Sequence, residues 1–275
     1  MKLKSLFFLI SFLSLNFIVF CQSDTLLAYS YFQKGFKKEI MRDYEGAIRD
    51  FDSSILSNPA YNRTYFYRAL SKYYTNDFKG SIEDYNIFIE ANPGAANAYD
   101  NRGYSKYVLG DNQGALDDYN KSIMLNPAVE KAYINRGGAE NRLGSYKDAI
   151  LDYNKAILLN PNNPNSYIDL GISKNAIEDY NGALEAFNNS IKLKPNSDIS
   201  FLYRGLAKFF LKDYKGASDD FDQCLSINPD NGEAFLNRGA LKLQLNDKMG
   251  ACSDFRKAYS LRNMRASDVI KENCQ

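Results

Sequence analysis

The side chains with the clearest potential for chemistry are six aspartates that each follow a basic residue by sixteen positions. The pairs are Lys34–Asp50, Arg68–Asp84, Arg102–Asp118, Arg136–Asp152, Arg204–Asp220 and Arg238–Asp254. A carboxylate works as a general acid or base only when its pKa is raised towards neutrality. A neighbouring Lys or Arg has the opposite effect, because a positive charge favours the ionised carboxylate. We therefore interpret these residues as structural charge pairs and not as catalytic groups.

The composition excludes most other catalytic chemistry. The chain of 275 residues contains no histidine, which excludes Ser–His and Cys–His nucleophiles and histidine-ligated metal sites. The sequence has no Gly-rich phosphate loop and no cluster of metal ligands. Its 34 Lys and Arg residues are balanced by 33 Asp and Glu residues, so it offers no excess of positive charge to nucleic acid. We predict a protein without enzymatic activity, metal, cofactor or nucleic-acid partner.

A period of 34 residues organises the chain. Proline recurs at Pro59, Pro93, Pro127, Pro161, Pro195 and Pro229. Glycine recurs at Gly35, Gly103, Gly137, Gly171, Gly205 and Gly239, and alanine at Ala47, Ala115, Ala149, Ala183, Ala217 and Ala251. The resulting seven units are 28–61, 62–95, 96–129, 130–163, 164–197, 198–231 and 232–265. We call each position within a unit a slot, counted from the first residue of that unit.

Each unit is predicted to form two helices joined by a short turn. Apolar residues recur at helical spacing, and the late proline ends the second helix because it has no N–H to donate. Small residues at slots eight and twenty allow the two helices to approach closely, and a ring at slot twenty-four fills the space between them. These rings are Phe51, Tyr85, Tyr119, Tyr153, Phe187, Phe221 and Phe255. One pair cannot bury its apolar face, so we expect stacked pairs to share a core.

The glycine, alanine, aromatic and proline columns resemble those of the tetratricopeptide repeat (TPR) family, which also has a unit of 34 residues. The resemblance covers residues 28–265. Three columns depart from the family pattern. Tyr or Phe replaces its Trp at slot four, Lys or Arg mostly replaces its Leu at slot seven, and Lys mostly replaces its Tyr on the first helix. The resemblance implies an all-α, right-handed α-solenoid of seven helix-turn-helix units with a C-terminal capping helix. It also implies a non-catalytic scaffold for protein–protein interaction.

The fifth unit indicates how the charge pairs are connected. It lacks both members of the pair, since Leu170 and Ala186 occupy the two slots. Pairing between neighbouring units would leave a charge without its partner in the fourth or the sixth unit, whereas pairing within each unit leaves none. We therefore predict that each pair joins the first helix to the second helix of its own repeat.

In the TPR family the first helices of the repeats line a concave groove that holds peptides or segments of partner proteins. Transferring those slots to this sequence implies a partner-binding groove with an aromatic N-terminal part and a polar middle. Its residues are Phe32, Phe36, Arg63, Phe66, Tyr67, Tyr73, Asn97, Asn101, Tyr104, Tyr107, Lys131, Asn135, Asn141 and Arg142. The rings would supply apolar area, and the amides would hold an extended peptide backbone. The alternative is that some rings, such as Tyr73 and Tyr107, pack between adjacent helices.

The cysteines near the C-terminus favour structural roles. Cys224 occupies a slot that most other repeats fill with Ala or Ser, which favours a small buried core residue. Cys252 lies on the second helix of the seventh unit. Cys274 lies in the tail 266–275, where Val269 and Ile270 predict a capping helix. In an oxidising compartment Cys252 and Cys274 could form a disulfide that fastens this cap. Two free thiols are the alternative.

Residues 1–21 have the features of a targeting segment, and residues 22–27 form a short lead-in to the repeats. Lys2 and Lys4 precede an apolar run from Leu6 to Phe20, which is typical of a secretory signal peptide. Cleavage after Cys21 would release a free exported protein. A Cys directly after the apolar run also resembles a lipoprotein signal, in which Cys21 would carry a lipid anchor. A retained anchor segment is the third alternative.

The sequence therefore predicts an exported scaffold, periplasmic or secreted, that binds a protein or peptide partner. No stretch after residue 21 is apolar enough to enter a membrane. The alternative is an outer-membrane lipoprotein that helps to assemble or regulate a membrane complex.

Overall fold

The computed structural model describes residues 24–274, and within this range the chain forms fifteen α-helices. The targeting segment predicted for residues 1–21, including Cys21, lies outside the described residues. The helices are α1 (24–40), α2 (Tyr44–Ser57), α3 (Arg63–Tyr74), α4 (Phe78–Ala91), α5 (Ala96–Val108), α6 (Asn112–Leu125), α7 (Glu130–Arg142), α8 (Tyr146–Leu159), α9 (Pro164–Ala176), α10 (Tyr180–Leu193), α11 (Asp198–Phe210), α12 (Tyr214–Ile227), α13 (Gly232–Gln244), α14 (Lys248–Ser260) and α15 (Arg265–Asn273). None of the described helices combines the length and the apolar character that crossing a lipid bilayer requires.

An aspartate side chain starts the second helix of six repeats. Its Oδ1 atom accepts a hydrogen bond from the backbone N–H of the glycine three residues later, at 2.9–3.0 Å. This bond satisfies an N–H group that the helix itself leaves without a partner. The glycine makes room for the cap, since a Cβ atom at Gly80 would lie 2.2 Å from Asp77 Oδ2. The fourth repeat differs, because Ser145 at this position makes no such side-chain bond.

The described chain divides into two compact units, unit 1 up to Pro127 and unit 2 from Ala128. Unit 1 contains α1–α6, and unit 2 contains α7–α15. In both units the two helices of a repeat pack against each other, and the second helix packs against the first helix of the next repeat. The first helices also contact one another, α3 with α5 in unit 1 and α7, α9, α11 and α13 in succession in unit 2. Each unit therefore has a surface formed by successive first helices.

The ring at slot twenty-four fills the interior of each repeat. Phe51, Tyr85, Tyr119, Phe187, Phe221 and Phe255 are all 0% exposed. The small residue at slot eight lies directly against this ring. In the fifth repeat, a Cβ atom added to Gly171 would lie 2.5 Å from a ring carbon of Phe187. The small column thus permits the close helix approach that the sequence predicts.

The C-terminal helix α15 covers the last repeat. It begins at Arg265, one residue before the predicted tail, and ends at Asn273. Ala266 is buried, and Val269 and Ile270 pack against the core of the last repeat. The Sγ atoms of Cys252 and Cys274 are 2.03 Å apart and form a disulfide. Cys224 is free and buried, and burial raises the pKa of its thiol to about 12.

Reducing the Cys252–Cys274 disulfide is expected to loosen the docking of α15. The disulfide closes a loop between residues 22 positions apart, which in the chain-entropy model contributes about 3 kcal/mol. Hydrogen exchange of the α15 amides, with and without reductant, measures the effect. The variant Cys252→Ala/Cys274→Ala should exchange as fast as the reduced protein. Equal protection of α15 in the oxidised and reduced forms would contradict this prediction.

Candidate functional site

Each of the five Arg–Asp pairs forms a bidentate contact within its own repeat. The Nε and Nη2 atoms of the arginine donate to the two carboxylate oxygens of the aspartate at 2.5–2.9 Å. The five aspartates are buried. Burial alone would raise the pKa of Asp254, but hydrogen bonds from Arg238 and Lys242 outweigh it and lower that pKa. In all five repeats both carboxylate oxygens are bound by the guanidinium group, as expected for structural groups.

Four of these arginines also reach the preceding repeat, which the sequence interpretation missed. The third guanidinium nitrogen, Nη1, donates at 2.6–2.7 Å to a side chain on the second helix of that repeat. The acceptors are Asp52 for Arg68, Asn86 for Arg102, Asn188 for Arg204 and Asp222 for Arg238. The signal was present in the sequence as a column of Asp and Asn at slot twenty-five, sixteen residues before each arginine.

Two further contacts complete this charge network. A lysine at slot eleven forms an ion pair with the same aspartate at 2.8–2.9 Å in four repeats. These lysines are Lys72, Lys106, Lys208 and Lys242. The guanidinium group also lies 5.2–5.8 Å from the centre of the ring at slot four, where the family has Trp. The ring at slot four is thus a cation–π partner of the arginine at slot seven.

The predicted pair Lys34–Asp50 is wrong in the first repeat. Asp50 forms its ion pair with Lys38, one helical turn further along α1, at 2.7 Å. The amine of Lys34 lies 5.0 Å from the centre of the Tyr31 ring. An arginine at slot seven binds the aspartate through two N–H groups, but Lys34 has no planar fork with which to do so. In the first repeat the aspartate is therefore paired with the lysine at slot eleven, Lys38.

The fourth repeat has Glu140 at slot eleven, where the six other repeats carry lysine. One carboxyl oxygen of Glu140, Oε2, is buried and has no hydrogen-bond partner among the described residues. Burial raises the pKa of Glu140 to about 7, and the negative charge of Asp152 also acts to raise it, while Arg136 opposes the shift. The fourth repeat therefore has a carboxyl group at the slot where the other repeats have a positively charged side chain.

We expect the free energy of unfolding to increase as the pH falls from 8 to about 5. Burial raises the pKa of Glu39 and of Glu140 to about 7, from an ordinary value of 4.5, and that of Asp169 to about 6. A group with a raised pKa binds its proton more readily in the folded state, so stability is lost as the pH rises through that window. The pKa of Asp254 is lowered instead, so this carboxyl group destabilises the folded state as it becomes protonated. That opposite effect occurs only at more acidic pH. Urea melts between pH 5 and pH 8 measure the slope.

The variant Glu140→Lys tests the source of this slope. It restores the lysine of the other repeats, so we expect stability at pH 8 to rise by about 1 kcal/mol, a value kept small by solvent screening of a half-exposed side chain. The pH dependence should become flatter. Glu185→Lys on the exposed face of α10 is the matched control. A destabilised Glu140→Lys variant with an unchanged slope would contradict the prediction.

One residue of the predicted groove lies in the core. Phe32 is 1% exposed, and its ring contacts Phe51 at 5.9 Å, Tyr61 at 5.5 Å and Tyr67 at 5.5 Å between ring centres. The prediction of Phe32 as a partner contact is therefore wrong. The rings that converge on it cover the whole side chain, so it stabilises the first repeat.

The other predicted aromatic residues of unit 1 are half-buried. Phe36, Phe66, Tyr67, Tyr73, Tyr104 and Tyr107 each retain an accessible part. Their rings contact one another mostly edge-on, as Phe36 does with Tyr67 at 5.0 Å and Tyr73 with Tyr104 at 5.6 Å. Each ring therefore packs against its neighbours and still has an accessible part. The sequence offered two alternatives, packing between helices or exposure to a partner, and neither describes these side chains alone.

The polar residues predicted in unit 1 also lie on this side of the first helices. Arg63 is exposed, and its guanidinium group is 5.6 Å from the centre of the Tyr67 ring. Asn97 is exposed and Asn101 is half-buried. We call Phe36, Arg63, Phe66, Tyr67, Tyr73, Asn97, Asn101, Tyr104 and Tyr107 the partner surface.

The predicted groove residues of unit 2 have different environments. Lys131 and Arg142 are exposed, and Asn135 is half-buried. The side chain of Asn141 is used internally, because it donates to the Tyr153 hydroxyl at 3.2 Å and accepts from the Ser173 hydroxyl at 3.0 Å. Asn141 therefore links the fourth and fifth repeats and is a poor candidate for a partner contact.

Comparison with known proteins identifies the repeat. Models of the tetratricopeptide repeat family match residues 68–128, 130–163 and 204–231. The second of these matches has the bounds of the predicted fourth unit. No curated protein matches the chain.

Solved structures show the same fold class, an all-α solenoid. A tetratricopeptide repeat protein from Parabacteroides merdae has a TM-score of 0.72 and 19% identity, and the match covers 91% of this chain and 100% of that one. The C-terminal part of a TPR repeat-containing protein from Cytophaga hutchinsonii has a TM-score of 0.67 and 19% identity, covering 86% and 98%. YrrB, described as a TPR protein with an unusual peptide-binding site, has a TM-score of 0.55 and 21% identity, covering 68% and 97%. At these identities the likeness shows the fold alone.

The repeated columns of small residues and rings, the helix pairs that they form and the family matches all agree. The chain belongs to the tetratricopeptide repeat family.

Proposed function

We propose that the partner surface of unit 1 binds an extended segment of another protein, and that the chain works as a non-catalytic scaffold. The family supports the general role, since tetratricopeptide repeat proteins are typically scaffolds for protein–protein interaction. The observation that carries the specific proposal is the run of half-buried rings from Phe36 to Tyr107 along the first helices. Rings of this kind supply large apolar contact area with little loss of side-chain entropy.

The polar groups on the same surface suit a peptide backbone. Arg63 and Asn97 are exposed beside the rings, and their side chains can donate hydrogen bonds to backbone carbonyl groups. The peptide-binding site named for YrrB belongs to that protein. It supports the proposal because it shows that a related solenoid can bind a peptide.

Chemical crosslinking and pull-down from the native cells test this proposal. The variant Arg63→Ala/Tyr104→Ala removes an exposed donor and a half-buried ring, and we expect it to lose the proteins captured by the wild type. Leu56→Ala/Ile87→Ala is the matched control, because Leu56 is 86% and Ile87 42% exposed on second helices. Capture that survives the first variant, or that is lost equally with the control, would reject the partner surface as the binding site.

We also propose that the protein works after export, periplasmic or secreted. The Cys252–Cys274 disulfide supports this location, because such bonds persist in oxidising compartments. Mass spectrometry of the mature N-terminus distinguishes the two forms of export. A chain that begins at Gln22 indicates a free exported protein, and a lipid-modified Cys21 indicates an anchored lipoprotein that acts at a membrane complex. An unprocessed chain beginning at Met1 would reject both.

A further inference from the structure

A cavity of about 380 Å³ opens beside the disulfide of the last repeat. Its lining residues are Lys248, Met249, Cys252, Arg256 and Cys274. Both half-cystines therefore border a space that a small molecule can enter. Cys274 is half-buried, whereas Cys252 is 6% exposed. The disulfide can thus be reached from solvent, and Cys274 is its more accessible half.

Two cations lie on either side of Cys252 along α14. Lys248 precedes Cys252 by four residues, and Arg256 follows it by four. Side chains at this spacing lie on one face of a helix, one turn apart. Both cations are exposed, and neither forms an ion pair or a hydrogen bond with another described residue. Since no Asp or Glu of the described chain lines the cavity, its charge is positive.

These cations and the sulfur depart from the repeat pattern at three slots of one helix. Slot seventeen holds Lys248 here and an aromatic residue or Asn in the six other repeats. Slot twenty-one holds Cys252 here and otherwise Ile, Leu or Ser. Slot twenty-five holds Arg256 here and otherwise Asp or Asn. The packing common to all repeats therefore does not account for these three residues.

The chemistry of disulfide exchange matches the charge of the cavity. A thiolate attacks one sulfur of a disulfide, and the other sulfur leaves as a thiolate. Cations close to the reacting sulfurs attract an anionic attacking group and stabilise the thiolate that leaves. Attack on the more accessible Cys274 makes Cys252 the leaving group, and Cys252 is the half that lies between the two cations.

We infer that the cavity binds a small thiol that carries a further negative charge, a carboxylate or a sulfonate, and that this thiol opens the disulfide at Cys274. The attacking sulfur bonds to Cys274 Sγ, the S–S bond breaks, and Cys252 leaves as a thiolate beside Lys248 and Arg256. A second thiolate attacks the mixed disulfide and releases Cys274 as a thiolate. The two attacking thiolates are thereby oxidised to their own disulfide, and the protein disulfide is reduced. This site is independent of the partner surface.

The rates at which three thiols of different charge open the disulfide test this inference with the full chain. Mercaptoethanesulfonate carries an added negative charge, mercaptoethanol none and cysteamine a positive one. Dividing each rate by that of the same thiol with bis(hydroxyethyl) disulfide removes differences in intrinsic reactivity. At low ionic strength the anionic thiol should then react about fivefold faster than the neutral one, as expected for two unit charges one helical turn from the reacting sulfur. Cysteamine should be slowest, and salt at about 1 M should remove the differences.

The variant Lys248→Gln/Arg256→Gln should bring the ratio of anionic to neutral thiol to about one, because it removes both charges from the cavity. Lys147→Gln/Lys155→Gln is the matched control. These two lysines are also exposed and lie eight residues apart on α8, so this variant should keep the ratio of the wild type. Both variants replace exposed side chains, and thermal melts establish that they fold.

Alkylation followed by peptide mass mapping locates the first mixed disulfide, which should form at Cys274. A mixed disulfide at Cys252 would overturn the inference. A ratio of about one in the wild type, or a raised ratio that persists when both cations of the cavity are replaced, would also overturn it. Each of these outcomes leaves the proposed function intact, because none of them involves the partner surface.

Discussion

Replacing Asp118 by alanine is expected to lower the free energy of unfolding by about 3 kcal/mol. Asp118 is buried and binds both Arg102 and Lys106, at 2.6 Å and 2.8 Å. The side chains of those two residues are only 16% and 21% exposed. Removing the carboxylate leaves two partly buried cations without a counter-charge, which costs more than the net contribution of the intact pair. Urea melts followed by circular dichroism measure the change at constant slope.

The double variant Arg102→Leu/Asp118→Ala should be less destabilised than Asp118→Ala alone. It reproduces the residues of the fifth repeat, where Leu170 and Ala186 are 5% and 2% exposed in the native protein. The shared interaction makes the two substitutions non-additive. Asp117→Ala on the exposed face of α6 is the control and should change stability by less than about 0.5 kcal/mol. A double variant whose loss equals the sum of the two single losses would contradict the prediction.

Replacing Phe187 by alanine is expected to cost about 3–5 kcal/mol, the range found when a large core ring is truncated. The ring is 0% exposed and fills the fifth repeat between α9 and α10. Gly171→Val is expected to cost about 1–3 kcal/mol by overpacking, since its Cβ would lie 2.5 Å from a carbon of that ring. Both values come from urea melts of the single variants.

The double variant Phe187→Ala/Gly171→Val should lose less stability than the sum of the two. The valine methyl groups occupy part of the cavity that the missing ring leaves, so the two sites are coupled. Gly94→Ala is the control, because a Cβ at Gly94 meets no atom within 4 Å. Additive losses would show that the close approach of Gly171 to Phe187 does not determine the packing of this repeat.

The repeat period was sufficient to predict the helix pairs, because contacts inside one repeat recur at fixed spacings. Gly171 against Phe187 and Arg102 against Asp118 are of this kind, and each is sixteen residues apart. Leu170 and Ala186 replace both charges in the fifth repeat, and this joint replacement indicated that each charge pair lies within one repeat. A contact that is repeated identically can be found in one sequence without any structure.

Side-chain environments that differ between repeats could not be predicted in this way. The spacing places Phe32 on the face of the first helices, but only the structure shows that Tyr61 and Tyr67 cover it. Asn141 was assigned to a partner, yet Tyr153 and Ser173 use its amide.

In four of the charge pairs the arginine belongs chemically to two successive repeats. It holds the second helix of its own repeat and an Asp or Asn of the repeat before it. The second and sixth repeats consequently each donate to the repeat before them and accept from the repeat after them. An array built this way can gain or lose whole repeats during evolution without leaving a charge unpaired, whereas an insertion of any other length would misalign every arginine after it. In unit 2 the fifth repeat lacks the arginine, so this constraint on spacing does not apply to its own slot seven.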